Sequence, residues 1–259
     1  MAPGTAPTQT PVMPTAGSDS HDDTRQLVVL VSGVFHATYT DVLPAFERET
    51  GLEVRSELSP SLGDSPQSVA SRLARGEDAD VLIMAGRGLD EVVAKQLVVD
   101  GTRVELARAP AGLAMKQGAT KPDISTPDRL RDTLLAASSV GYSISASGQY
   151  VSHELFKKLG IEAQMKDRAH EVEGVTPVGE TIAKGENQYG FQVVSEILPI
   201  EGVELVGKLP DAVEFVTPVS AAVALHSKNP DGARSLLRYL TRREMWPVLE
   251  QHGLDRAPA

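Results

Sequence analysis

The chain has no cysteine, which excludes disulfides, thiolate nucleophiles and thiolate metal sites. Aromatic residues make up only 4% of it, too few for the base-stacking platforms of single-stranded nucleic-acid binders. It also lacks an excess of positive charge. Its 25 Lys and Arg against 35 Asp and Glu leave a formal net charge of -10, with no basic run that would neutralise a polyphosphate. The acidity reads as a solubility feature, and no nucleic-acid partner is expected. No stretch of roughly 18 apolar residues is present, so no membrane-spanning helix is expected. The signatures GxGxxG, GxxxxGKS/T, GxSxG and HExxH are all missing. The six histidines are scattered, with no pair spaced for zinc, and no metal or cofactor is expected.

What is present is an ordinary globular composition, 41% hydrophobic over 259 residues, enough for two lobes with cores of their own. Residues 1–26 are rich in Pro, Thr, Ala, Gly and Ser and read as a disordered leader. Residues 27–35, LVVLVSGVF, follow Asp22 and Asp23 rather than a basic cluster, so no export signal is visible there. Leu27–Val31 is instead a continuous strand run, and Tyr39, Leu43 and Phe46 follow at helical spacing up to Gly51. Strands at 52–58 and 79–85 alternate with helices at 66–76 and 89–95, the pattern of a parallel sheet with right-handed crossovers. Residues 104–116 hold two apolar runs that Ala109-Pro110 should break. Beyond them the sequence predicts helices at 127–137 and 149–159, one begun by Thr176-Pro177, and two more at 231–240 and 243–252. Strands are predicted at 139–143, 189–194, 203–209 and 219–225.

Ligands of open parallel sheets sit beyond the carboxyl ends of strands, where helix N-termini point. Those positions hold Ser32, Gly33, Phe35 and His36 after the first strand, and the loop 59–65 with Ser61 after the second. Arg87 follows the third strand; Ser145, Ser147, Gly148 and Tyr150 follow the strand at 139–143; Gln192 and Ser195 follow the strand at 189. Taken singly, each serine or glycine is explained by a turn or a cap. Taken together they assemble hydroxyls, backbone N–H groups and helix dipoles suited to a compact oxyanion or carboxylate. Arg87 is placed to pair a carboxylate, whereas Arg72 and Arg75 read as solvated helix residues.

Several segments, in order, resemble the molybdate-type periplasmic solute-binding proteins: LVVLVSGVFHATYTDVLPAFERETGLEV, SVASRLARGEDADVLIMAGRGLDEVV, SASGQYVSHELFKKLGI and VGETIAKGENQYGFQVVSEILPIEGVELVGKLP. The resemblance implies a type II periplasmic-binding-protein fold of class α/β. Each lobe would be a mostly parallel sheet flanked by helices, with an anion in the cleft and hinge closure on binding. Lobe 1 would hold 27–107 plus 217–259, and lobe 2 would hold 108–216. The first turn, the longer second turn and the lack of a counterpart to the family's late tyrosine depart from the molybdate pattern. The SGxF, SASGxY, GFQxxSE and LP segments are similar to the branch that includes aconitate isomerase. That branch implies cofactor-independent interconversion of cis- and trans-aconitate. His36 would then be the base and Tyr150 a second proton-transfer group, with Ser32, Ser61, Ser145, Ser147 and Gln192 as donors and Arg87 on a carboxylate. The other reading is a monomeric periplasmic receptor that binds a small anion without chemistry and hands it to an ABC permease.

Overall fold

The computed structural model describes residues 25–63, 65–172 and 176–258. The expected leader lies outside the described residues up to position 24, but Gln26 is already in a strand. Strand β1 (Gln26–Val31) leads into helix α1 (Gly33–Thr50). There follow β2 (Glu53–Leu58), α2 (Val69–Ala74), β3 (Val81–Ala85), α3 (Gly86–Ala94) and the long strand β4 (Val104–Lys116). Next come α4 (Pro127–Ala136), β5 (Val140–Tyr142) and α5 (Ala146–Tyr150), which runs through a π-helical turn at Val151–Leu155 into α6 (Phe156–Lys158). Then α7 (Glu162–Met165), β6 (Ala169–Glu171), α8 (Val178–Ala183), β7 (Tyr189–Val193), α9 (Val194–Ile197) and β8 (Val203–Lys208) complete the middle of the chain. The return strand β9 (Val216–Val223), helices α10 (Pro230–Leu240) and α11 (Trp246–Gln251) and the short β10 (Asp255–Arg256) close it.

The strands form one path, β2-β1-β3-β9-β4-β7-β5-β6, with β8 and β10 both on β4. Strand β1 is parallel to β2 and β3, and β5 is parallel to β6 and β7. The mostly parallel sheets expected for the two lobes are joined by antiparallel pairing at the centre, where β9 is antiparallel to β3 and β4, and β4 is antiparallel to β7 and β8. These two strands connect the lobes directly, without a helical crossover. A correction concerns Pro110, which does not break β4. From Val104 to Pro110 the strand pairs with β9, and from Ala111 onward it pairs with β7, so the proline sits where the strand changes neighbours.

Lobe 1 packs apolar side chains on both faces of its sheet. One cluster joins Leu27, Val29, Val31, Phe35, Tyr39 and Phe46 to Leu236, Leu237 and Leu240 of α10; the other joins Leu30, Leu82 and Met84 to Leu89 and Val92 of α3. Each such side chain contributes about 1.5–3 kcal/mol on burial. Lobe 2 is built around Leu113, Leu130, Leu134, Val151, Leu155 and Phe191. Arg72, read as solvated, is corrected: it is 8% exposed and its guanidinium bonds the carboxylates of Glu57 and Glu77 and Ser59 Oγ. A charge this deep needs such partners, and it ties helix α2 to the loop after β2.

Tyr39 is 1% exposed, and burial pushes its phenol from 10.0 up to about 12, against the opposing hydrogen bond with Ser56 Oγ at 2.7 Å. The folded state therefore holds this proton more tightly than the unfolded chain. The associated stability, about 2–3 kcal/mol at most, is present below pH 10.0 and is lost as pH rises toward 12. Unfolding free energies from urea melts should fall between these limits, and Tyr39→Phe should flatten part of that slope.

Candidate functional site

Val31 is paired with both Leu58 and Ile83, so the turns after β1, β2 and β3 leave lobe 1 at the same edge. Tyr142 is paired with Phe191, so the turns after β5 and β7 likewise leave lobe 2 together. The two edges meet where α9 touches α1: Ser195 Oγ donates to the Val34 carbonyl at 2.8 Å, across 161 residues of sequence. A second bond crosses between the lobes, from Arg87 to Gln149 Oε1 at 3.4 Å.

On the lobe 1 side, Ser32 is the N-cap of α1 but its hydroxyl does not cap the helix. Ser32 is 3% exposed, and its Oγ has no hydrogen-bond partner among the described residues. Leaving a buried hydroxyl unpaired costs about 1–3 kcal/mol, which a ligand oxygen would recover. The next residue, Gly33, opens α1 with no side chain in the way. A Cβ there would stand 2.5 Å from Glu196 Oε1, so glycine is what lets a lobe 2 carboxyl approach the helix N-terminus. Ser61 Oγ accepts from the Ala85 N–H at 2.9 Å, which leaves its own O–H proton available. Arg87 is exposed in the first turn of α3.

On the lobe 2 side, Ser143, Ser145 and Ser147 form a hydroxyl chain with Oγ separations of 2.7 and 3.0 Å. Gly148 is buried behind it, with no room for a Cβ beside the Ser143 carbonyl oxygen. Gln192 is also buried. Its Oε1 accepts from the Val178 N–H at 3.0 Å, and its Nε2 donates to Glu196 Oε2 at 2.7 Å. The amide is thus engaged at both ends, and its clearest role is to hold Glu196. Burial raises the Glu196 carboxyl above the usual carboxylate range, against the Gln192 hydrogen bond that lowers it.

Three expected site residues have other surroundings. Phe35 is 1% exposed, and its ring packs in the lobe 1 core. Tyr150 donates its hydroxyl proton to the Val213 carbonyl at 2.9 Å and stacks on Phe215, so its phenol supports the fold of lobe 2. His36 is exposed one helical turn beyond Gly33 and makes no hydrogen bond to the described residues. Glu196 is the group the sequence reading passed over. Two surface grooves, of about 820 and 400 Å³, lie elsewhere and contain none of these residues. Among the described residues, no cluster of three or more His, Asp or Glu is arranged to hold a metal ion, and no helix is long and apolar enough to cross a membrane.

Two lobes linked by β4 and β9, meeting at opposed strand ends, define a solute-binding scaffold. The chain belongs to the bacterial extracellular solute-binding protein family, whose model matches residues 27–255. Within that class it is 41% identical to an aconitate isomerase of Pseudomonas sp. over 233 residues, 90% of this chain and 88% of that protein. Among solved structures it superposes on the periplasmic molybdate-binding protein of Azotobacter vinelandii with a TM-score of 0.73 at 16% identity, covering 90% of this chain and 100% of that one. The sulfate-binding protein of Mycobacterium tuberculosis gives a TM-score of 0.69 at 13% identity, covering 90% and 87%. These structural likenesses show the fold, a two-lobed periplasmic-binding-protein architecture.

Proposed function

We propose that this protein is a cofactor-independent isomerase that interconverts cis- and trans-aconitate between its two lobes. The observation that carries the reading is the 41% identity to an aconitate isomerase along nearly the whole chain. The site geometry is in keeping with it. The reaction removes a proton from the methylene carbon beside a carboxylate and spreads the electron pair over the allyl carbons. It then returns a proton to the far carbon, so the double bond shifts and no co-reactant is consumed. Such a step needs a base tuned toward the working pH and fixed donors for the developing charge.

In this proposal the α1 N-terminus with Ser32 and Gly33 faces one carboxylate, and Ser145, Ser147 and Gly148 face another. Ser61 and Arg87 stand at the lobe 1 rim, and Ser195 latches the lobes by its bond to Val34. Because the lobes already touch there, substrate entry requires them to part about β4 and β9, a hinge motion. The protein is proposed to work as a monomer in the periplasm. A second reading, favoured by the family and by the transport proteins among its structural neighbours, is a receptor that delivers a small anion to an ABC permease.

Thermal shift with trans-aconitate, citrate, molybdate and sulfate separates the two. The isomerase reading expects stabilisation by tricarboxylates, amounting to about 2.7 kcal/mol at a hundredfold excess over Kd, and none by the metal oxyanion. Stabilisation by molybdate or sulfate alone would favour the receptor.

A further inference from the structure

We infer that the Glu196 carboxyl carries the proton in the cleft: it removes it from the methylene carbon of the bound tricarboxylate and returns it to the other end of the allyl system. This rests on the isomerase reading and assigns that reading its acid–base residue.

Three independent features place the group. It stands where the lobes meet, with Oε1 against Gly33 at the first turn of the 18-residue helix α1. Only one of its oxygens is engaged: Oε2 accepts from Gln192, whereas Oε1 accepts from no described residue and keeps a lone pair for a substrate C–H. Its mount is rigid. Gln192, which holds Oε2, is itself fixed by the Val178 N–H; within α9, Ser195 is bonded to Val34 and Val194 lies against the Gly253 turn. Burial favours the neutral acid over the carboxylate, against the Gln192 hydrogen bond. His36, by contrast, is exposed and unanchored.

The electron balance is closed within the pair. As a carboxylate, Glu196 accepts the methylene proton while the C–H electron pair enters the allyl system. As a carboxylic acid, it donates the proton to the opposite carbon, the double bond forms between the first two carbons, and the carboxylate is restored. Ser32 and the α1 N-terminus face the carboxylate onto which negative charge spreads.

The test is steady-state turnover of trans-aconitate by the full chain, followed by NMR, for the wild type and Glu196→Gln, with circular dichroism for folding and calorimetry for substrate affinity. The expected result is a kcat at least ~100-fold lower with affinity within about threefold, the size of a lost general base. Glu196→Gln retaining turnover within about threefold of wild type would overturn the assignment. Should that variant not fold, Glu196→Ala serves with added formate in place of the missing carboxyl. A rate that climbs with formate supports the role, and a folded variant indifferent to formate overturns it. A wild-type protein inert toward aconitate would instead remove the isomerase reading itself, and this assignment with it.

Discussion

Asp80→Ala is expected to lower the unfolding free energy by about 3–4 kcal/mol. Asp80, immediately before β3, is 3% exposed. Its Oδ2 accepts from the Val28 N–H at 2.8 Å; its Oδ1 accepts from Ser227 Oγ at 2.6 Å and from the N–H groups of Lys228 and Asn229 at 2.8 and 3.0 Å. One carboxylate thus satisfies donors from β1 and from the loop that opens α10, tying the first strand of lobe 1 to the segment that returns after β9. Truncation leaves buried N–H groups without an acceptor, and an apolar replacement recovers little. Asp80→Asn keeps one acceptor oxygen and should cost roughly half as much. Urea-induced unfolding of the two variants checks the ordering; a loss below about 1 kcal/mol for Asp80→Ala would show that water replaces the carboxylate without penalty.

The second large effect is expected at Gly148. A methyl group there would overlap the Ser143 carbonyl, a backbone atom that cannot rotate aside. Gly148→Ala must therefore push α5 away from the turn carrying the Ser143, Ser145 and Ser147 hydroxyl chain. We expect a loss of about 2–3 kcal/mol in stability and at least a tenfold weaker response to trans-aconitate in thermal titrations. A variant with wild-type melting and wild-type titration would place the Ser145–Gly148 turn outside the ligand site.

Much of the architecture was legible in the sequence because the apolar runs are long and well punctuated. Leu27–Val31 is a continuous Val and Leu run closed by Ser32-Gly33, and Tyr39, Leu43 and Phe46 recur at helical spacing. The misreadings share a cause, which is that local pattern does not report tertiary neighbours. Pro110 looks like a break until β9 and β7 are seen to divide β4 between them. Arg72 looks solvated until Glu57 and Glu77 converge on it from outside its helix. Phe35 and Tyr150 sit at strand-to-helix turns as expected, yet the helical turn carries one ring into a core and the other hydroxyl onto Val213. Glu196 was visible in the GFQVVSE segment, but it meets Gln192 only because the chain turns from β7 into α9 between them. What the sequence could not show is that Gly33 stands against it from the other lobe. Its partner in the site is distant along the chain, and no periodicity encodes that contact.

The most direct test of the central claim is to incubate the purified protein at high concentration with trans-aconitate alone and follow the olefinic and methylene resonances by NMR. The account predicts that cis-aconitate appears, without added metal or cofactor, until the same equilibrium mixture is reached from either isomer. Unchanged trans-aconitate, in a sample that is folded and stabilised by a small anion, would contradict it and leave a binding protein.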